Sequence, residues 1–364
     1  MNKPTLAISR RTRRTPFSPR VEQNGVQSYT VYNHMLLPTS FRGVEEDYHH
    51  LKTHVQLWDV GAERQVEIKG RDSFRLVQLM TVRDLSGISI GRCFYVPLVD
   101  ANGGIVNDPL ILKIEENRYW ISIADSDVLL WAKGLAYGME LDVDILEPDV
   151  WPLAIQGPKS DALMIDAFGE VIKDIRFFGF QSLPFKGHEF IVARSGWSKQ
   201  GGFEIYVDRV DLALELWDFL WDIGKVYDVG IGCPNLIERI EGGLLSYGND
   251  MTADISPLEC GFDRYCDLDT SFESIGLMAV KNLKKRGISR RIMGLRISGD
   301  PLQPNINIWK VFDESQSLIG YVTSAAWSPT YDATLAIAMI DKKCWSPEQV
   351  VQVDTPEGIR NGIV

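Results

Sequence analysis

Apolar and polar positions follow two periods along the chain. Val44, Tyr48, Leu51, Val55 and Leu57 or Trp58 recur at about 3.6-residue spacing, which predicts a helix over Val44 to Trp58. Gln65 to Ile68 alternates as a strand, and Asp72 is a candidate cap for a helix through Phe74, Leu76, Val77 and Leu79. Phe94 to Val99 reads as one strand. Val128 to Tyr137 reads as a helix with Leu129, Leu130 and Ala132 inward. A strand over Trp151 to Gln156 ends at Gly157-Pro158. Helices are expected over Ser160 to Phe168, over Val210 to Ile223 with Leu212, Leu216, Phe219 and Leu220 inward, and over Leu236 to Leu245. Residues 1–30, with Pro4, Pro16 and Pro19, read as irregular. From 290 onward short strands alternate with turns and no helices, the pattern of a small β-barrel or sandwich.

Two hairpins carry the candidate chemistry. In the first, Val106, Leu110, Leu112 and Ile114 alternate onto one face, Glu115 to Asn117 turns, and Tyr119 to Ile123 returns. Asp108 falls on the same apolar face. Pro109 beside it lacks an N–H and interrupts the ladder. A buried acid needs a partner, so Asp108 either faces a ligand pocket or is a solvated strand end. In the second hairpin, His188 to Arg194 and Gly202 to Val207 flank the connection Ser195 to Gly201. Phe203, Ile205 and Val207 take one face, and Glu204 and Tyr206 the other. A carboxylate accepts paired N–H donors, which suits the amino-pyrimidine edge of a pterin or guanine. The alternative is an amphipathic strand with its polar face in water. Trp197, Phe177, Phe178 and Phe180 surround this hairpin and either stack on a bound ring or form core.

Strand–turn–strand–helix thus occurs twice, at 105–137 and 188–223, which predicts an α+β fold of two similar antiparallel-sheet halves. The division expected is a region 1–280, with halves of roughly 1–145 and 146–280, followed by a β-barrel domain over 281–364. The basic stretch Lys281 to Gly287 marks the boundary.

Composition narrows the function. The chain has 364 residues, 45 % hydrophobic and 24 % charged, which is enough to bury a sizeable core. A net charge of -11 argues against nucleic acid as a partner. The five cysteines have no CxxC pair, which points to a reduced, cytoplasmic protein. No apolar run is long enough to span a bilayer, and no membrane partner is expected. Arg10, Arg11, Arg13, Arg14 and Arg20 have no apolar stretch after them, so they are read as an arm and not a secretory signal. The arm is expected to pack on the body or on a second copy of the chain, as in a homodimer. His50 and His54 are four apart but lack the acids that would complete a metal site, and no metal is expected. Gly230-Ile231-Gly232-Cys233-Pro234 is not a dinucleotide fingerprint. Arg239, in an apolar helix, either pairs with an acid or holds a ligand carboxylate.

A set of motifs then resembles a known family. Gly103 through Asp108, Gly196 through Ile205, Arg239-Ile240-Glu241-Gly242-Gly243, Ile255-Ser256-Pro257-Leu258, Phe272 through Gly276 and Thr323 through Thr330 resemble the folate-dependent aminomethyltransferases of the glycine cleavage T-protein family. They come in the family's order and cover the chain from about residue 30 to its end. The family usually has Asp-Asp where this chain has Asn107-Asp108-Pro109, and its helix entry loses an Arg at Gly232 to Glu241. With Ser9-Arg10-Arg11, Trp58-Asp59-Val60, Ser122 through Asp127, Glu147-Pro148-Asp149-Val150 and Gly230 through Asn235, these departures resemble the dimethylsulfoniopropionate demethylase branch.

The resemblance implies two pseudo-symmetric α+β domains and a C-terminal barrel around a central tetrahydrofolate channel. It implies methyl transfer from a sulfonium donor to N5 of tetrahydrofolate, with no metal. Glu204 would hold the pterin edge, and Tyr206, Trp197, Tyr95 and Phe178 would line the folate. Asp108 would act beside the methyl group, and Tyr32 would line the donor site. Two alternatives remain open: another folate enzyme, such as an aminomethyltransferase or an N- or O-demethylase, or a folate-binding protein without turnover.

Overall fold

The computed structural model describes residues 7–364. The chain crosses three times between two compact units: residues through Gln65 with Glu147–Asn235, and Val66–Leu146 with Leu236–Val364.

The first unit is built on a six-stranded sheet. Its order is Phe180–Phe185, His188–Ala193, Gly202–Val207, Trp151–Gln156, Val55–Asp59 and Val229–Gly232. All neighbours are antiparallel except the last pair. One face carries Val55, Leu57, Leu153, Ile155, Phe203, Ile205 and Val207 into a core. The helices Ser160–Phe168 and Val210–Gly224 close that core with Leu163, Met164, Leu216, Trp217 and Leu220. Val210–Gly224 turns Leu216 and Leu220 inward as expected, and Ala213 and Trp217 are buried with them.

Two expectations fail in this unit. The helix predicted to Trp58 stops at Thr53, and Val55–Asp59 is a strand. Every residue of that strand is buried, so both its faces are covered and it shows no period-2 alternation. Residues 1–30 are not all irregular, since Ser18–Gln23 is helical and Ser28–Tyr32 is a strand. The basic arm packs on its own unit. Phe17 is buried in the core, Arg13 pairs with Glu147 at 2.7 Å, and both Nε and Nη2 of Arg20 donate to Asp218 at 2.6 Å.

The second unit holds a five-stranded sheet and a barrel. The sheet order is Asp144–Leu146, Gln65–Lys69, Arg118–Ser122, Leu110–Glu115 and Cys93–Tyr95. Helices Ser73–Leu79 and Val128–Gly138 pack on it through Leu76, Val77, Val128 and Ala132. The inward side of Val128–Gly138 is Val128, Ala132 and Ala136, whereas Leu130 is 65 % exposed, because the small residues approach the sheet most closely. Pro97 splits the strand expected over 94–99 into Cys93–Tyr95 and Leu98–Val99, which join different sheets. The helix expected over 236–245 spans Leu236–Glu241, and the basic stretch near 281 lies in the helix Leu277–Arg286.

The C-terminal strands form a closed six-stranded barrel, in the order Arg290–Ile297, Ala333–Asp341, Leu318–Ser328, Trp309–Phe312, Val350–Thr355 and Gly358–Ile363. The last strand, absent from the sequence reading, closes it on Arg290–Ile297. The polar sequence Gly-Ile-Arg-Asn-Gly-Ile hid that strand.

Candidate active site

In the second unit the first hairpin breaks at Asp108-Pro109. Ile105–Asn107 pairs with Leu98–Val99, and Leu110–Glu115 joins the five-stranded sheet. Asp108 therefore sits at the junction of two sheets and not on a continuous strand face. Ile111, Leu112, Tyr119 and Ile121 are fully buried here, while Leu110 and Ile114 are half-buried. Asn107 is fully buried and anchors the junction. Its Nδ2 donates to Ala124 O at 3.1 Å and Ser126 Oγ at 2.8 Å, and its Oδ1 accepts from the Ala124 N–H at 3.0 Å.

The Tyr95 hydroxyl donates to Asp108 Oδ2 at 2.9 Å. Asp108 Oδ1 is buried with no hydrogen-bond partner among the described residues. Burial pushes the Asp108 carboxyl up to about 7. The Tyr95 bond and the residue's own N–H pull it down, and the Asp250 charge adds to the rise. The same burial and the facing carboxylate hold Tyr95 well above its usual range. Tyr95 meets Phe262 and Tyr265 edge-on, with ring centroids 5.6 and 4.9 Å away. Arg83 donates to the Tyr95 carbonyl at 2.7 Å and lies 4.5 Å over the Phe94 ring. Sequence reasoning missed Arg83, Phe262 and Tyr265. Arg83 and Phe262 come from loops and Tyr265 from the single 3₁₀ turn Asp263–Tyr265, where no periodicity marks them.

Arg239 pairs with an acid. Its Nη1 donates to Asp250 Oδ2 at 2.9 Å and its Nη2 to Ser324 Oγ at 2.6 Å. Asp250 Oδ1 also accepts from the Thr323 and Ser324 hydroxyls at 2.6 Å each. The family-like Thr323-Ser324 segment thus helps fix a buried charge pair.

In the first unit, Glu204 stands on the sheet face opposite the core residues Phe203 and Ile205. Its cross-strand neighbours are Ala154 and Ala193. It is only 4 % exposed, so the reading of a solvated polar face does not hold. The Ser195 hydroxyl donates to Glu204 Oε2, and the Tyr206 hydroxyl reaches the same oxygen at 3.5 Å. Burial raises the Glu204 carboxyl above its usual range, and these two hydroxyls oppose the rise. Tyr206 is fully buried.

Gln156 organises the connecting loop. Its Nε2 donates to Ser195 O at 3.2 Å, and its Oε1 accepts from the Ser198 hydroxyl at 2.8 Å. A Cβ on Gly196 or Gly202 would lie 2.0 or 2.5 Å from Gln156 Nε2, and both glycines have positive φ, so both positions require glycine. In the sequence Gln156 showed only as a strand end.

The remaining expected residues lie in the same unit as Glu204. Trp197 is in the Ser195–Gly201 loop, half-buried. Phe178, at φ 55, stacks on Phe177 at 4.1 Å, and its N–H donates to Arg194 O at 3.0 Å, one residue before Ser195. Tyr32 packs in a separate cluster with Met35, Leu37 and Ala62. Among the described residues no group of three or more His, Cys, Asp and Glu could hold a metal ion.

Comparison with known proteins places the chain in a family. Residues 17–270 match the GCVT N-terminal domain, and residues 290–361 match the glycine cleavage T-protein C-terminal barrel domain. A dimethylsulfoniopropionate demethylase of Ruegeria pomeroyi is 48 % identical over 97 % of this chain and 96 % of its own. An aminomethyltransferase of Bacillus subtilis is 29 % identical over 87 % of this chain and 88 % of its own. The glycine cleavage system aminomethyltransferase T of Bartonella henselae has a matching fold, with a TM-score of 0.86, 21 % identity, and 97 % and 96 % of the two chains covered. The chain belongs to the glycine cleavage T-protein family.

Proposed function

We propose that the chain is a tetrahydrofolate-dependent demethylase. It moves a methyl group from dimethylsulfoniopropionate to N5 of tetrahydrofolate and yields methylmercaptopropionate and 5-methyltetrahydrofolate. The observation that carries the reading is the 48 % identity to a dimethylsulfoniopropionate demethylase along 97 % of the chain, against 29 % for an aminomethyltransferase.

The residues present suit folate. Glu204 is a buried carboxylate flanked by two alanines, the kind of acceptor that a pterin edge needs. Asp108 keeps a buried oxygen without a donor among the described residues. Tetrahydrofolate supplies N5 as the methyl acceptor. Within the first unit, Glu204 holds the pterin edge through its carboxylate, Tyr206, Trp197 and Phe178 serve the folate and Tyr32 the donor; in the second unit, Tyr95 is assigned to folate through its bond to Asp108.

Asp108 does the charge work. Its carboxylate attracts the sulfonium cation and accepts the proton released as N5 is methylated. A group that titrates near 7 is matched to that task. The sulfonium is already an activated leaving group, so no nucleophile on the chain is required. What remains for the chain is to align the reactants and exclude water.

A panel of donors tests the reading. The enzyme is mixed in turn with dimethylsulfoniopropionate, N-methyl and O-methyl donors, and an aminomethyl-loaded lipoyl carrier, each with tetrahydrofolate. Turnover is expected with the sulfonium. Turnover confined to the lipoyl carrier would make the chain an aminomethyltransferase, and binding of folate without any turnover would make it a folate-binding protein.

A further inference from the structure

We propose that Gln156 and Ser195 are positioning residues for folate: Gln156 clamps the Ser195–Gly201 loop so that the Ser195 hydroxyl occupies Glu204 Oε2, leaving Oε1 to accept from the ligand. This rests on the reading that Glu204 holds the pterin edge.

The geometry forms a relay. Gln156 reaches the loop from a central strand with both ends of its amide, to Ser195 O at 3.2 Å and from Ser198 Oγ at 2.8 Å. The two glycines that flank the loop leave room for this amide and for nothing larger. Ser195, only 3 % exposed, then donates to Oε2. Among the described residues, the Ser195 and Tyr206 hydroxyls both go to that one oxygen. A carboxylate anchored through one oxygen presents its second oxygen in a preferred direction.

The Ser195 hydroxyl also favours the ionised form of Glu204. The groups that act on this proton are Ser195 from the loop and Tyr206 from its own strand, while the cross-strand neighbours Ala154 and Ala193 carry no charge. Without Ser195, Glu204 binds its proton more tightly, and folate binding is lost at a higher pH.

Tetrahydrofolate binding is measured anaerobically by tryptophan quenching from pH 5.5 to 8.5, with thermal midpoints in parallel. Ser195→Ala should raise Kd about tenfold near neutral pH, as expected for a hydrogen bond to a charged group. It should also move the acid limb of binding to higher pH, and Ser195→Thr should restore both. Gln156→Leu should reproduce the Ser195→Ala profile. An unchanged Kd, or a weakening without any shift of the acid limb, overturns the relay. Glu204→Gln separates the two ideas. If it leaves Kd unchanged, the reading of Glu204 itself fails. If it weakens binding while Ser195→Ala does not, only the relay fails.

Discussion

The Tyr95 hydroxyl donates to one oxygen of Asp108 at 2.9 Å, while the other oxygen is buried with no donor among the described residues. This half-satisfied carboxylate sits where two sheets part, and burial sets its titration near 7. In the proposed role, the ionised form attracts a sulfonium and takes up a proton. The value of kcat/KM for the donor should therefore rise with pH through about 7 and level off above it. Tyr95→Phe removes a bond that favours the carboxylate, so the rising limb should move to higher pH. A pH–rate profile of both proteins checks this, and a limb in the same place for both contradicts it.

Asp108→Asn should cut transfer by about 10²–10⁴-fold, the usual range for a group that handles a proton in the reaction. The same change should stabilise the fold. The unfolded chain releases this proton near 3.8 and the folded chain holds it to about 7. Between those values the folded state binds more protons, so stability falls as pH rises, by about 1.4 kcal/mol per unit for this group. The penalty is complete above about 7. The thermal midpoint of Asp108→Asn should then exceed that of the parent by a margin that widens between pH 4 and 7. Equal midpoints throughout would mean that Asp108 is not a strained acid.

The setting of Glu204 and Tyr206 could be seen in the sequence, because they lie on a strand whose opposite face is apolar at every second residue. Period-2 alternation separates such faces directly. Asp108 was visible for a different reason, as an acid beside a proline in an apolar run, yet its setting was misjudged. Pro109 does not only interrupt one strand; it divides the run between two sheets. Val55–Asp59 was hidden because a strand buried on both faces has no alternation to display. Gln156, Arg83, Phe262 and Tyr265 were hidden because their roles arise from tertiary contact, and no local period encodes it.

Arg239 and Asp250 form a buried pair with side chains 6 % and 0 % exposed. Arg239→Met strands the Asp250 charge and should destabilise the protein by about 3–5 kcal/mol. Arg239→Lys should recover little, because two nitrogens of the guanidinium serve separate acceptors, Asp250 and Ser324. Urea unfolding of the two variants and the parent measures both effects. A loss below about 1 kcal/mol in Arg239→Met would show that the pair contributes no more than an exposed one.

The proposed reaction passes a methyl group from a sulfonium to N5. Its most direct test follows dimethylsulfoniopropionate labelled with carbon-13 in its methyl groups by NMR, with the enzyme and tetrahydrofolate present. The label is expected to appear in 5-methyltetrahydrofolate in step with methylmercaptopropionate. Label that stays on the donor, while tetrahydrofolate demonstrably binds, would contradict it.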